Sequence, residues 1–258
     1  MTKAQRWIQV AIAGLMGLDL IYYLITGNIA NYIAIKYVWL TWIAAGIFLT
    51  LAAIKALNLV RQEVPEHDHH QCDHAHAHHA HDHGTAQTWL GLGIVALPLV
   101  FGVLAPSNPL DSRAVDKPIA SDLSSISAPQ ASVRLDIAPQ ERNILDWISA
   151  FATAADPAVL NGQQVDVIGF VYRDARFQRP NQFMVARFVM SCCAADAQAI
   201  GLIVEWPDAP TFQDDDWVRV RGTIKITEFD GSLAPVIIAD GDHAIEIVDQ
   251  PQNPYLYP

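Results

Sequence analysis

Basic residues are scarce in this chain: 16 Lys and Arg stand against 27 Asp and Glu, a formal charge of −11. Phosphate backbones are held by clustered Lys and Arg, so this balance argues against nucleic acid as a partner. Cysteine is scarcer still. Three residues, two of them the neighbours Cys192 and Cys193, do not make a disulfide framework. No nucleophile–base constellation, phosphate-cradling glycine loop or dinucleotide fingerprint is present. An enzyme is therefore the least supported class, and none is expected.

Apolar residues are plentiful, at 52% of 258 positions, and they concentrate in residues 1–105. Trp7–Thr26 is one run interrupted only by Asp19, Val38–Ile54 a second ended by Lys55, and Trp89–Ala105 a third. A membrane helix needs about 20 apolar residues, with about 17 as the lower limit. All three runs qualify, the last two narrowly, and their Trp, Tyr, Lys and Arg edges favour three membrane spans over buried core helices. A cleavable signal peptide is a weaker reading of the first run: it holds Asp19, lacks a small-residue cleavage site and is soon followed by a second span. Lys3, Arg6, Lys55 and Arg61 lie on one side of the spans, and Lys36, Arg113 and Lys117 on the other. By that margin of one, the N-terminus is cytoplasmic and the C-terminal half extracytoplasmic.

A carboxylate inside a span is costly and usually faces a partner helix or a water-filled path. Three spans are few for a path of their own, so Asp19 is expected to meet another subunit or a second copy. Snorkelling, or pairing for stability alone, is the plain alternative.

The loop at 61–87 holds nine of the ten histidines: His67, His69, His70, His74, His76, His78, His79, His81 and His83. Cys72, Asp68, Asp73 and Asp82 sit among them. Neutral imidazole suits zinc, copper, nickel and cobalt, and thiolate and carboxylate add further ligands. The spacing is not that of a folded zinc site. The expectation is a loosely specific collector of divalent transition metal, zinc by preference. Imidazoles titrate near pH 6.5, so metal should leave below roughly pH 6. The bland alternative is a polar loop between two helices.

Residues 106–138 are rich in Ser, Ala and Pro without hydrophobic period and read as a flexible linker. Ile144, Leu145, Trp147, Ile148 and Phe151 then share one face of a short amphipathic helix stopped near Pro157. It is expected to pack on the domain behind it rather than on a membrane, because its polar face is not basic. Five β-type runs follow: 164–172, 182–190, 200–206, 216–226 and 233–240. Within 139–258 they suggest a small all-β, OB-like barrel, with a small sandwich as the alternative.

In "MSCCAADAQ" (190–198), a helix capped by Ser191 would set Cys192 and Cys193 in its first turn, within reach of Asp196. Such thiols would gain acidity, making a second metal site or redox chemistry possible. A disulfide between the neighbours is disfavoured, since consecutive Cα atoms lie only about 3.8 Å apart. Two small buried hydrophobes at a strand end are the alternative, and His243 reads as an ordinary surface or core histidine.

The stretches "GNIANYIAIKYVWLTWIAA" (27–45), "GFVYRD" (169–174), "QFMVARFVMSCCAADAQAIGLIVEWP" (182–207) and "DDDWVRVRGTI" (214–224), with the histidine loop, carry a resemblance. The chain resembles the YcgQ-like family of bacterial membrane proteins over nearly its whole length. The resemblance implies an accessory subunit of a two-component permease in the bacterial plasma (inner) membrane, multi-pass, beside a multi-span partner. Its pattern highlights Gly169, Phe170, Tyr172, Arg173, Asp174, Arg187, Ser191, Cys192, Cys193 and Asp196. Tyr172, Arg173, Asp174 and Arg187 are thereby candidates for partner binding. The alternative function is a membrane-tethered adapter without a metal role.

Overall fold

Thr2 opens the first helix: its hydroxyl accepts from the Gln5 amide, and the Gln5 side chain accepts from the Thr2 amide. This capping box starts α1 (Lys3–Thr26), which Gly27 ends with a left-handed φ of 76°. The second apolar run becomes α2 (Val38–Arg61) and the third α3 (Thr85–Leu104). A computed structural model describes residues 2–61, 85–104, 107–115, 119, 137–173, 175–177, 179–241 and 243–258. It divides into a helical unit (Met1–Ala30 with Ile35–Ser107) and a β unit (Asn31–Ala34 with Asn108–Pro258).

In the helical unit, α2 runs antiparallel to α1. Gly14 faces Ala52, while Gly17 faces Ala45 and Leu49. Small residues let the two backbones approach, and a Cβ on Gly17 would sit 2.8 Å from the Leu49 side chain. α3 runs in the direction of α1: Gln9 and Gly91 line one cavity, and further along Tyr23 Oη donates to the Gly102 carbonyl at 2.7 Å. Leu15, Leu18, Trp39, Trp42, Leu90 and Phe101 point outward. α1, and Ile35–Arg61 containing α2, are long and apolar enough to cross a membrane. The apolar stretch of α3, Trp89–Gly102, is shorter. The loop expected at 61–87 gives way to helix at both ends. The nine histidines from His67 to His83, and Cys72, lie outside the described residues.

In the β unit, Asn143 and Asp146 close a second capping box, at 3.1 and 3.0 Å, that starts α4 (Ile144–Thr153). Its Ile144, Leu145, Trp147 and Ile148 are buried among the strands, as the amphipathic pattern predicts. The five expected runs form β1 (Gln164–Tyr172), β2 (Gln182–Val189), β3 (Gln198–Glu205), β4 (Trp217–Phe229) and β5 (Ser232–Ile238). Two short strands escaped the sequence pattern: β6 (Ile245–Ile247), antiparallel to β4, and β7 (Tyr255–Leu256), parallel to β2. β1 pairs β2, β2 pairs β3 and β4 pairs β5, all antiparallel, while β3 and β5 are parallel. β4 also pairs with β1, so the path β1–β2–β3–β5–β4 returns to its start. Glycine marks two tight crossings. A Cβ at Gly169 would lie 2.5 Å from the Ala186 carbonyl oxygen, and one at Gly222 2.4 Å from that of Ile238.

β2 is covered on both faces. Phe183, Val185 and Val189 join the core beneath α4, while Met184, Ala186, Phe188 and Met190 face a second core. That double burial explains why its sequence is apolar at successive positions, interrupted only by Arg187, instead of alternating. Each of the Val, Phe and Met side chains, fully buried, contributes ~1.5–3 kcal/mol. The second core is roofed by Ala34, from the segment between α1 and α2, and by Ile119 and Tyr255. Leu110, Ala114 and Val115 pack against it. Part of the expected linker therefore belongs to the folded β unit; residues 106, 116–118 and 120–136 lie outside the described residues.

Candidate functional site

Beyond β2 the chain bends through Ser191, Cys192 and Cys193 into a single 3₁₀ turn, Ala194–Asp196. Ser191 does not cap it. Asp196 reaches back instead, its two carboxylate oxygens accepting from the Ser191 amide at 3.1 Å and the Cys192 amide at 2.7 Å. Desolvation raises the Asp196 pKa, but hydrogen bonds from the Cys192 thiol and these amides outweigh it and hold the carboxyl below its ordinary value. The same contact acts oppositely on the thiol. Its hydrogen bond to Asp196, then its contact with Cys193, push Cys192 up to about 11.

The expectation that Cys192 gains acidity at a helix N-terminus is thus overturned. A one-turn 3₁₀ segment supplies little dipole, and a carboxylate occupies the position where positive field was expected. The two sulfurs form no disulfide; Cys192 Sγ donates to Cys193 Sγ at 3.7 Å. Cys192 is exposed and Cys193 half-buried, so neither is a buried filler. Among the described residues, no group of three or more His, Cys, Asp or Glu is arranged to hold a metal ion. Cys192, Cys193 and Asp196 meet as a capped turn.

What the turn holds is a piece of chain some 160 residues upstream. Ile33 forms an antiparallel bridge with Cys193. The Ala34 amide donates to the Cys192 carbonyl at 3.0 Å, and the Ala194 amide to the Tyr32 carbonyl at 2.9 Å. Tyr255 ties the neighbourhood together: its hydroxyl accepts from the Leu110 amide at 3.0 Å and donates to the Asn31 carbonyl at 3.3 Å. Close by in sequence, Ser112 donates through its amide and hydroxyl to the Asp215 carboxylate, at 2.7 and 2.8 Å. Two segments, one between α1 and α2 and one following α3, are thereby stitched into the β unit. Neither has a periodic signal, because single bridges need only one or two residues.

The candidate partner-binding residues are engaged within the β unit. Arg187 Nε donates to the Pro254 carbonyl at 3.1 Å, its guanidinium also reaches the Asn253 carbonyl, and the group lies 5.5 Å from the Trp217 ring centre. Desolvation brings its pKa down to about 10. Arg173 donates to Asp214 at 3.2 Å and the Ala209 carbonyl at 2.7 Å, over the ring of Phe183. Tyr172 packs partly buried against the second core, and Asp174 lies outside the described residues. His243 is exposed, in keeping with a surface histidine. In the helical unit, Asp19 is half-buried with one carboxylate oxygen against Gly102 of α3, 3.0 Å from where a Cβ would stand.

A family model described as the DUF1980 C-terminal domain matches residues 126–258. One described as the DUF1980 N-terminal domain matches residues 8–119. The chain is 25% identical to the UPF0703 protein YcgQ of Bacillus subtilis, the match covering 94% of this chain and 97% of that one. It is 23% identical to a Streptococcus mutans protein named "Putative two-component membrane permease complex subunit", over 92% of this chain and 93% of that one. With both domain models matched in order along most of its length, the chain belongs to the DUF1980 family.

Proposed function

We propose that this chain is a multi-pass accessory subunit of a two-component membrane permease complex, with three spans and an extracytoplasmic, OB-like β domain. The name of the Streptococcus mutans relative supports the complex. The observation that carries the topology is the pairing of Ile33 with Cys193. It supports a reading in which the α1–α2 segment and the C-terminal domain share one side of the bilayer, and under that reading α2 and α3 either both cross or both do not. α2 lies in a helix with the length and apolarity to cross, and under this reading α3, with its shorter apolar stretch, is the returning span. Exposed aromatics at both helix ends, Trp7 and Trp89 at one and Tyr22, Tyr37 and Trp39 at the other, fit the two interfaces. The closed circuit of five strands with parallel β3 and β5 supports the OB-like barrel. In such barrels the β2–β3 face commonly takes ligands; here Ala34, Ile119 and Tyr255 roof the second core, to which β2 and β3 contribute, leaving the domain to act as an anchor.

The cargo is a divalent transition metal, zinc by preference, gathered by His67–His83 on the cytoplasmic side. Donor chemistry supports this reading: nine imidazoles and a thiol within 18 residues offer many exchangeable arrangements. Reporter fusions at position 72 and after Pro258 test the topology, with opposite sides expected; the same side for both sinks it. Deleting residues 67–83 should change cellular zinc, and an unchanged metal content removes the cargo.

One observation favours a second reading, a tethered adapter without metal. Asp196 is committed to backbone amides and the Cys192 thiol is held protonated, so this turn grips Tyr32–Ala34 rather than presenting a ligand. Under that reading, replacing Tyr172, Arg173 and Asp174 abolishes co-purification of the permease partner while deletion of the histidine tract leaves it intact.

A further inference from the structure

Asp19 is the one acidic residue in α1, seven residues before its end at Thr26. At 1.5 Å per residue it lies ~10 Å inside the helix end, within the apolar run. Its carboxylate is turned toward α3, where the absence of a side chain on Gly102 makes room for it. Among the described residues it has no cationic partner and no hydrogen bond. The next polar group along the seam, Tyr23 Oη, donates to the Gly102 carbonyl instead. Around this carboxylate the surface is bare and apolar: Leu15, Leu18 and Tyr22 on α1, and Phe101 and Leu104 on α3, are more than half exposed.

An ionised carboxylate in such surroundings is costly until a counter-charge meets it, and residues of this kind mark partner contacts or ion paths. A water-filled path would require further polar lining. The cavity lined by residues of all three helices, about 500 Å³, is mostly apolar (Ile12, Met16, Phe48, Leu92), has Gln9 and Lys55 as its polar members, and does not include Asp19. That leaves a contact. We infer that Asp19, at the α1–α3 seam, is the docking point for a transmembrane helix of the permease partner that carries one Lys or Arg at matching depth. The inference rests on the accessory-subunit reading and names how that subunit engages its partner. Apolar side chains around Asp19 supply the packing surface, and the carboxylate selects depth and rotation, because a mismatched cation would leave two unpaired charges in hydrocarbon.

The test uses the full chain in lipid nanodiscs with synthetic polyleucine helices, either uniform or with one Lys placed at successive depths, read by energy transfer. The helix whose Lys lies at the depth of Asp19 should bind about tenfold tighter than the uniform one. Asp19→Asn should abolish that preference, Asp19→Glu should retain it, and Asp19→Lys should transfer it to a helix carrying Glu. Helical circular dichroism of each variant reports that the bundle is intact. Equal binding of the Lys and uniform helices, or a preference that survives Asp19→Asn, overturns the inference. Self-association lost in Asp19→Asn without any Lys preference overturns it too, in favour of a second copy. Each of these failures leaves the reporter-fusion result standing, so the accessory-subunit reading is judged separately.

Discussion

The helical unit and the β unit place their apolar residues in opposite ways. In the β unit large side chains are interior: Trp147, Phe183, Met184 and Ile200 have essentially no exposed surface. In the helical unit α1 and α2 approach at small residues, Gly14 by Ala52 and Gly17 by Ala45 and Leu49, while Leu18, Trp42, Ile54 and Leu104 face outward. Water drives the first arrangement, since burying large apolar groups is its main stabilising term. The second makes sense only where the surroundings are themselves apolar and helices associate by close backbone approach. The same composition thus points to two solvents within one chain.

The sharpest way to break this contrast is truncation. Phe183→Ala should destabilise the β unit by about 3–5 kcal/mol, through lost transfer energy and the cavity left behind. Leu18→Ala, at an outward-facing position, should change stability by no more than ~0.5 kcal/mol. Urea unfolding of the detergent-solubilised chain, followed by tryptophan fluorescence, measures both. Similar losses would mean that Leu18 is packed in a protein interior and that the two units do not differ.

Glycine refines the comparison at smaller magnitude. Gly222→Ala places a methyl 2.4 Å from the Ile238 carbonyl, where only strand displacement relieves it. A loss of about 1–3 kcal/mol is expected. At Gly46 of α2 nothing lies within 4 Å of a Cβ, so Gly46→Ala should be neutral or stabilising by up to ~1 kcal/mol through helix propensity. Thermal unfolding of the two variants gives shifts of opposite sign. A destabilised Gly46→Ala would reveal a helix contact that the described residues do not contain.

Legibility in the sequence followed period and length. The α4 face, the five main strands and the inward alternation of Val218 and Val220 against Arg219 and Arg221 were readable because each repeats a local rule over several residues. In the structure Arg219 turns that alternation into a two-pronged bond with Asp166 on β1, at 2.7 and 2.6 Å. β6, β7 and the Ile33–Cys193 bridge were not readable: strands of three and two residues, and one isolated pair, carry no period. The roof over β2 was hidden for a related reason. Leu110, Ala114, Val115 and Ile119 are single apolar residues in a Ser- and Pro-rich stretch, and only the second core gives them a common destination. At the candidate site, Cys192 and Asp196 meet through the Cys192 amide and a 3₁₀ turn, not through the helical spacing that the sequence suggested. The direction of the cap was invisible, because both Ser191 and Asp196 can accept amide hydrogen bonds and sequence alone does not say which one turns inward.

Cys192 lies outside both cores, so its test is read as a rate. With its pKa raised from the ordinary 9.0 to about 11, the thiol is almost wholly protonated at pH 8. Thiolate falls tenfold per unit below the pKa, so alkylation there should be ~100-fold slower than for an unperturbed thiol, apart from differences in nucleophilicity. The sign for folding follows from proton binding. A group whose folded pKa is raised stabilises the fold below pH 9 and loses that contribution as pH rises through about 11. Asp196→Asn removes the charge that opposes thiolate formation, so iodoacetamide labelling of Cys192 at pH 8 should accelerate while the wild-type rate climbs only at higher pH. Labelling of wild-type Cys192 already fast at pH 8, and indifferent to Asp196→Asn, would mean that the carboxylate does not control the thiol. The turn would then be open to metal or redox chemistry rather than closed around Tyr32–Ala34, and the β unit would carry a reactive site in addition to the anchoring role proposed for it.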